Sequence, residues 1–409
     1  MTLPDLDVLL DAETLRLIDE LGPIARTEDA AAALVRLRRS GAAPERAATA
    51  LTQARLRARA EPKFGEFAAR MLLTEDGLQQ ATRLGVAARH AARFRDAGLQ
   101  RVADLGCGIG GDALAFSGLG LAVHAVERDP VTAAIAAYNL AAFPDAEVEV
   151  GAAEEADLSR ADGVWLDPAR RDGARRLNDP ADWSPSLGFA FGLGRPTGVK
   201  LGPGIDRGLI PDGWEAQWVS DGGEVVELVV WSGPLAREGV GRAALVLTAG
   251  GAAELTAPGD SADAPVGAIG EYLLEPDGAV IRARLIGDLA RRLSPAARML
   301  HPTIAYVTLD EEPDTAFGQA FRVLDVLPLD AKAVRRALAE RDASSVEIKK
   351  RGVDIEPAAF RRQLRLRPGA SAPRELTVIL TRLGDRRRAI LAERLPRRLD
   401  AHRGARRPG

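Results

Sequence analysis

The 409-residue chain has a single cysteine, four histidines and few aromatic residues, 4% in all. With Cys107 alone no disulfide framework forms. His90, His124, His301 and His402 are scattered without a second thiol, so no zinc or iron–sulfur site is expected and no metal is called for. Long apolar runs are missing too: no stretch of about 18 apolar residues appears. The N-terminus, Met1-Thr2-Leu3-Pro4-Asp5-Leu6-Asp7, is acidic where a secretory leader would be basic and then apolar. No membrane span or leader peptide is expected, and the cytoplasm is the expected compartment.

Lysine is scarce as well, at five of the 55 basic residues, the rest being arginine. The net charge is only −3, but it is unevenly spread. From Lys332 to the end there are 22 basic residues against 9 acidic ones, and in the rest of the chain 33 against 49. A basic last fifth suggests a nucleic-acid-facing surface, and an arginine-rich composition is the competing explanation. Length and a 46% apolar content predict two or three domains around sizeable cores.

What is present is led by Arg101 to Gly111, Arg-Val-Ala-Asp-Leu-Gly-Cys-Gly-Ile-Gly-Gly. A short apolar run ending in Asp104 and followed by Gly106, Gly108, Gly110 and Gly111 predicts a strand turning sharply into a helix, a cradle for a nucleotide. The same glycines satisfy the dinucleotide fingerprint, which would put a pyrophosphate at the helix N-terminus. Asp104 at the strand tip and Asp112 at the helix start would repel phosphates and suit the sulfonium and ammonium of S-adenosylmethionine, which is therefore favoured over NAD. Ala122 to Glu127 reads as the second strand, with Glu127, 23 residues after Asp104, placed for ribose hydroxyls. Arg128, Asp129 and Pro130 would cap the next helix.

Along the chain, residues 1–97 read as a helical cap domain, with helices beginning near Asp11, at Asp29 and at Pro44, and a last one from about Leu78 towards Phe94 that brings Gln79 and Thr82 towards the cofactor. Residues 98–255 alternate strand and helix signals, as in a parallel sheet with helices on both faces. Further strands are expected at Glu147 to Val150, Gly163 to Leu166 and Thr197 to Leu201, and an antiparallel edge pair at Glu224 to Trp231 and Arg242 to Thr248. Residues 256–320 read as a linker, which starts from about 251, and a mixed extension. Residues 321–395 read as an α+β module in the order strand, helix, strand, helix, strand, and 396–409 as a basic disordered tail that follows Arg386-Arg387-Arg388.

In open α/β sheets ligands bind at the carboxyl ends of the strands. The loop after the fourth strand, Asp167-Pro168-Ala169-Arg170-Arg171, is therefore the candidate catalytic loop. An exocyclic amine is a poor nucleophile because its lone pair is delocalised. A carboxylate and a carbonyl that accept its two protons localise that pair, a task for Asp167 with Pro168 stiffening the turn. Arg170 and Arg171 are candidates for stacking on a base or holding phosphate, as are Arg175 and Arg176; Trp165 or Trp183 is the aromatic alternative. Lys200, at the end of the fifth strand, is a further substrate-binding candidate.

Asp104-x-Gly106-x-Gly108-x-Gly110-Gly111-Asp112, Glu127-Arg128-Asp129-Pro130, Asn139-Leu140-Ala141 and Asp167-Pro168 together resemble the class I S-adenosylmethionine-dependent methyltransferases, most of all the trimethylguanosine-synthase-like group acting on guanine N2. The resemblance implies a Rossmann-like sheet, S-adenosylmethionine as cofactor, and cofactor contacts from Asp104, Gly106, Gly108, Gly110, Asp112, Glu127 and Arg128. Where that group carries an adenine-contacting acid this chain has Gly151-Ala152-Ala153, leaving the contact to Glu154 or Glu155. Its Asp-Pro-Pro-aromatic loop is here Asp167-Pro168-Ala169-Arg170. The segment Val346-Glu347-Ile348-Lys349-Lys350-Arg351-Gly352 is similar to the THUMP-like domain of bacterial methyltransferases, which implies RNA as partner and Lys349, Lys350 and Arg351 as substrate contacts. The expected activity is methylation of a nucleobase nitrogen in tRNA or rRNA. A small-molecule or protein methyltransferase, and a catalytically degenerate RNA-binding protein, are the alternatives. With one cysteine, methylation of pyrimidine C5 through a thiol adduct and radical methylation on a cysteine-held cluster are excluded.

Overall fold

The computed structural model describes residues 5–169, 171–172, 175–176, 179, 182–366 and 374–397. The chain divides into two compact units, residues 1–201 with 230–236, and residues 202–229 with 237–409.

The first unit opens with α1 (Leu6–Leu9), α2 (Ala12–Leu21), α3 (Thr27–Arg39) and α4 (Pro44–Phe64). Asp11 caps α2 by accepting from the N–H groups of Glu13 and Thr14, and Pro44 takes the first position of α4, where a missing N–H costs nothing. α3 starts two residues ahead of the expected Asp29. The single helix expected from Leu78 to Phe94 is two, α5 (Glu75–Gln80) and α6 (Leu84–Asp96). Lys63 at the end of α4 accounts for the break: its ammonium donates to the carbonyls of Leu78, Gln79 and Ala81 at 2.7, 2.9 and 2.9 Å. Three donors thereby satisfy carbonyls at the end of α5, and the helix stops just before Thr82.

Next come β1 (Arg101–Leu105), α7 (Gly111–Gly118), β2 (Ala122–Glu127), α8 (Pro130–Leu140), β3 (Ala146–Val150), β4 (Gly163–Leu166), the two-residue strands β5 (Arg171–Asp172) and β6 (Arg175–Arg176), α9 (Leu187–Gly192) and β7 (Thr197–Leu201). Within this unit the strands run in the order β7-β4-β1-β2-β3, all parallel. The chain's few aromatics concentrate here: Trp165, Trp231, Phe94 and Phe116 pack around His90, whose ring stacks on Trp165 with centroids 4.3 Å apart. Trp165 is thus core rather than a base platform. Glycine makes room for it, since a Cβ on Gly198 would lie 2.7 Å from the Trp231 ring and 2.9 Å from that of Trp165.

The second unit contains β8 (Glu215–Asp221), β9 (Glu224–Trp231, its last two residues belonging to the first unit), β10 (Arg242–Thr248) and β11 (Gly251–Ala257). The expected antiparallel pairing of β9 with β10 does not occur. The order is β11-β10-β8-β9, with β10 parallel to β8 and antiparallel to β11. Most of the expected linker's first half is β11. Its composition, Gly-Ala-Ala-Glu-Leu-Thr-Ala, has little strand propensity of its own. The β10 ladder and an ion-pair cluster joining Arg237, Glu254 and the fully buried Glu215 hold it in the sheet.

A seven-stranded sheet follows, in the order β13-β14-β12-β15-β18-β17-β16. It is made from β12 (Tyr272–Pro276), α10 (Gly278–Arg282), α11 (Ile286–Leu293), β13 (Arg298–His301), β14 (Ile304–Leu309), β15 (Gly318–Pro328), α12 (Ala331–Ala339), β16 (Ala343–Lys350), α13 (Pro357–Leu364), β17 (Arg374–Leu383) and β18 (Arg386–Arg394). The strand-helix-strand-helix-strand order expected from Phe321 appears as β15 to β17. The preceding extension adds β12, β13 and β14 to the same sheet. β18 is a strand that was not expected: Arg386-Arg387-Arg388 pairs with Leu383, Arg382 and Thr381, and the next four residues, Ala389 to Ala392, are buried. Residues 398–409, expected to be disordered, lie outside the described residues. No helix among the described residues is long and apolar enough to cross a membrane.

Candidate functional site

The glycine turn leaves β1 with Gly106, Gly108 and Gly110 at φ +84°, +57° and +84°, a region that strains residues bearing a Cβ. The N–H groups of Gly106 and Cys107 donate to Val126 O at 2.9 and 3.1 Å, which fastens the turn to the end of β2. Glu127, next along, accepts from Gly108 N at 3.0 Å and from Asp129 N at 2.9 Å. On the other side Asn139 of α8 donates to Ile109 O at 2.9 Å and to Leu72 O at 3.0 Å, and accepts from Leu72 N at 2.8 Å. Leu72 lies in a short extended stretch whose neighbours are also tied down: Gln53 exchanges two hydrogen bonds with Leu73, and Arg57 donates to Met71 O. Side chains of α4 and α8 thus fix the path that leads to α5 and Thr82.

Beside the turn lies a charged chain of contacts. Asp112, in the first turn of α7, accepts from Thr82 Oγ1 at 2.8 Å on one oxygen and pairs with His90 Nδ1 at 2.9 Å on the other. Thr82 Oγ1 accepts in turn from Lys200 Nζ at 2.8 Å, and Lys200 donates to Asp167 Oδ2. Five segments meet here: the 81–83 break, α6, the start of α7 and the ends of β4 and β7. Burial pushes the Asp112 carboxyl up, but hydrogen bonds and charge from His90, the Lys200 ammonium and the Thr82 hydroxyl together hold it below the usual range. Asp104, at 1% exposure, goes the other way. Burial first, then the carboxylates of Asp112 and Asp167, raise it well above its ordinary value, and its Oδ2 has no hydrogen-bond partner among the described residues.

The structure brings Asp104, Gly106, Asp112, Asp167 and Lys200 together. A Cβ on Gly106 would lie 3.6 Å from the peptide oxygen of Asp167. Pro168 is buried behind it, and Ala169 pairs with Ser184 through two backbone hydrogen bonds. Arg128 is exposed and reaches Ser184 Oγ at 3.5 Å, and Glu154 is exposed in a short 3-10 turn, Ala153–Glu155, after β3. Trp183 is buried. Arg170 lies outside the described residues, and of Arg171, Arg175 and Arg176 only the backbone is described. In the second unit Lys350 is exposed, but Lys349 pairs with Glu275 at 2.6 Å, and Arg351 donates to Ala305 O at 3.0 Å and lies 3.6 Å from Glu275. Their charges are spent inside the sheet. Sequence reasoning did not single out His90 or Lys63. The signal for Lys63 was available, since it is one of five lysines in an arginine-rich chain. No group of three or more metal-ligating side chains is found among the described residues.

The residues fit a cationic nucleoside. A buried carboxylate oxygen without a partner, a second acid at the end of β2 and a turn whose Gly108 faces open space together offer acceptors and close backbone approach. They offer no counter-charge for a pyrophosphate. Two curated Mycobacterium tuberculosis proteins, from strains CDC 1551 and H37Rv, each described as an uncharacterized S-adenosylmethionine-dependent methyltransferase, are 38% identical to this chain over 348 residues, covering 80% of it and 91% of theirs. The chain belongs to the S-adenosylmethionine-dependent methyltransferases. A crystal structure assigned as a methyltransferase, from Porphyromonas gingivalis W83, shares its fold with a TM-score of 0.71 at 20% identity, over 94% of this chain and 99% of that one. Residues 318–394 match a family described as THUMP domain-like, and residues 2–60 match one described as a domain of unknown function. In this methyltransferase Cys107 is buried, and burial, with Asp104 and Glu127 nearby, raises its thiol well above the ordinary value and disfavours the thiolate.

Proposed function

We propose that this methyltransferase acts on a nucleobase nitrogen of RNA, tRNA or rRNA, with Asp167 as the residue that accepts the amine protons. The observation that carries the reading is the position of Asp167. Its carboxylate and its peptide oxygen stand at the edge of the glycine turn, the two acceptors an exocyclic amine requires. When bound, S-adenosylmethionine supplies a methyl group on a sulfonium, whose sulfur keeps the carbon–sulfur electron pair. Asp104 and Glu127 would hold the cationic cofactor and its ribose, with Gly106 and Gly108 admitting it against the backbone. The amine nitrogen forms the new bond with its own lone pair and loses one proton, for which Asp167 is the acceptor. RNA is supported by the match of residues 318–394 to a THUMP-like domain and by the basic last fifth of the chain. The cytoplasm is the compartment proposed for it.

The test is transfer of labelled methyl from S-adenosylmethionine to total RNA from cells lacking this protein, with wild type and Asp167→Ala side by side. Ribonuclease-sensitive label that the variant does not produce is the expected result. Cofactor binding without label in RNA would overturn the reading for mature RNA.

A further inference from the structure

We infer that Lys200 is a positioning residue for methyl transfer, holding the Asp167 carboxylate ionised and fixed while Thr82, Asp112 and His90 hold Lys200. The inference rests on the reading of Asp167 as the acceptor of the amine protons.

At this edge of the sheet Asp104 feels the carboxylates of Asp112 and Asp167 and, less, that of Glu127. An acid in such company tends to keep its proton, and a protonated Asp167 has lost the charge with which it would draw an amine proton. The Lys200 ammonium, with a side chain 14% exposed, is in direct contact with Asp167 and acts on Asp104 and Asp112 as well. It is oriented from behind: its second donor is taken by Thr82 Oγ1, whose own proton points to Asp112 Oδ2. Asp112 is in turn fixed by His90, and the His90 ring is stacked on the buried Trp165. Lys63, at the end of α4, is a further charged group beside the cluster, and the charges of Arg83 and Lys200 act on it. Hydrogen-bond direction runs one way along the line, from lysine to hydroxyl to carboxylate, so a neutral residue at 200 breaks it at its head. This differs from a lysine that waits for substrate phosphate, the use first suggested for Lys200, because its donors are engaged within the chain.

The test compares wild type with Lys200→Met, Lys200→Arg, Asp167→Asn and the Lys200→Met/Asp167→Asn pair. Binding of S-adenosylhomocysteine to Lys200→Met should stay within about threefold of wild type, and its single-turnover methylation rate should fall about 100-fold. The acidic limb of its rate–pH profile should move up, because the cation in contact with the Asp167 carboxylate is gone. Lys200→Arg retains the charge and should bring the acidic limb back while recovering only part of the rate. Independently of any acceptor, Lys200→Met should lower the melting temperature more above neutrality than below about pH 5, and adding Asp167→Asn should raise it again, because the carboxylate that has lost its lysine is then gone. Wild-type rate and pH limb in Lys200→Met would overturn the inference, as would a melting temperature that Asp167→Asn does not restore. If wild type labels no RNA the RNA reading fails by itself, and the melting comparison still decides whether Lys200 holds Asp167.

Discussion

Asn139 is the sharpest test of how the cofactor turn is held. It makes three hydrogen bonds, two as donor to Ile109 O and Leu72 O and one as acceptor from Leu72 N. Asn139→Ala removes all three, worth about 1 kcal/mol each, and leaves the N–H of the fully buried Leu72 without a partner, which costs roughly 1–3 kcal/mol. The bond to Leu72 enters both terms, so about 4 kcal/mol is the expected loss. In a unit of about 200 residues, at roughly 2–4 °C per kcal/mol, the melting temperature should drop by about 8–16 °C. Releasing Ile109 also frees the glycine turn, so the affinity for S-adenosylhomocysteine, read by calorimetry at a temperature where the variant is folded, should fall about tenfold. Asn139→Asp keeps the shape but points a carboxylate oxygen at two carbonyls. It should be as damaging at neutral pH and recover towards pH 4, where the carboxyl regains a proton to donate. A melting temperature within about 2 °C of wild type, with cofactor affinity unchanged, would refute the reasoning.

Asp104 has a raised folded-state value, so the folded chain binds more protons than the unfolded one as pH rises from the unfolded carboxyl's value, and stability is lost across that window. Asp104→Asn should therefore melt above wild type at pH 7–8, with the difference closing as pH falls to about 4, and should bind S-adenosylmethionine more weakly. Gly198→Ala places a methyl group within 3 Å of two immobile tryptophans and should lower stability by about 1–3 kcal/mol; Gly192→Ala, which meets nothing within 4 Å, is the control for calorimetry. In the second unit Lys349→Ala should cost stability by leaving Glu275 without its nearest cation, whereas Lys350→Ala should leave melting unchanged and weaken RNA retention in a filter-binding assay.

The central parallel strands β1 and β4 were legible because strands buried on both faces read as apolar runs bounded by glycine and proline. Val102 to Leu105 and Val164 to Leu166 are buried throughout. β11 and β18 were not, for opposite reasons. β11 has small residues that any loop tolerates, and its order comes from β10 and from Arg237, neither of which is local. β18 has a true apolar stretch, hidden behind three arginines whose backbone nonetheless pairs with β17. The α5–α6 break was invisible in the helical periodicity because its cause, Lys63, lies 18 residues before Ala81. The same distance problem hid part of the candidate site. Asp167 and the glycine turn announce themselves locally and Thr82 was expected near the cofactor, but its contact with Asp112, and that of His90, form only after the helical segment has folded back onto the sheet.

Lysine placement shows what the sequence offered and composition concealed. Arginine is the default cation of this chain, and three of its five lysines, Lys63, Lys200 and Lys349, stand where a planar fork would not serve. Lys63 sends its donors to three carbonyls around the end of a helix. Lys200 bridges a hydroxyl and a carboxylate, and Lys349 stands between Glu275 and Glu347, at 2.6 and 3.9 Å. A tetrahedral ammonium can divide itself among acceptors that converge from different elements, whereas a guanidinium commits its donors to one plane. These three lysines therefore mark convergent contacts, and two of them lie against the 81–83 break that carries Thr82 to Asp112.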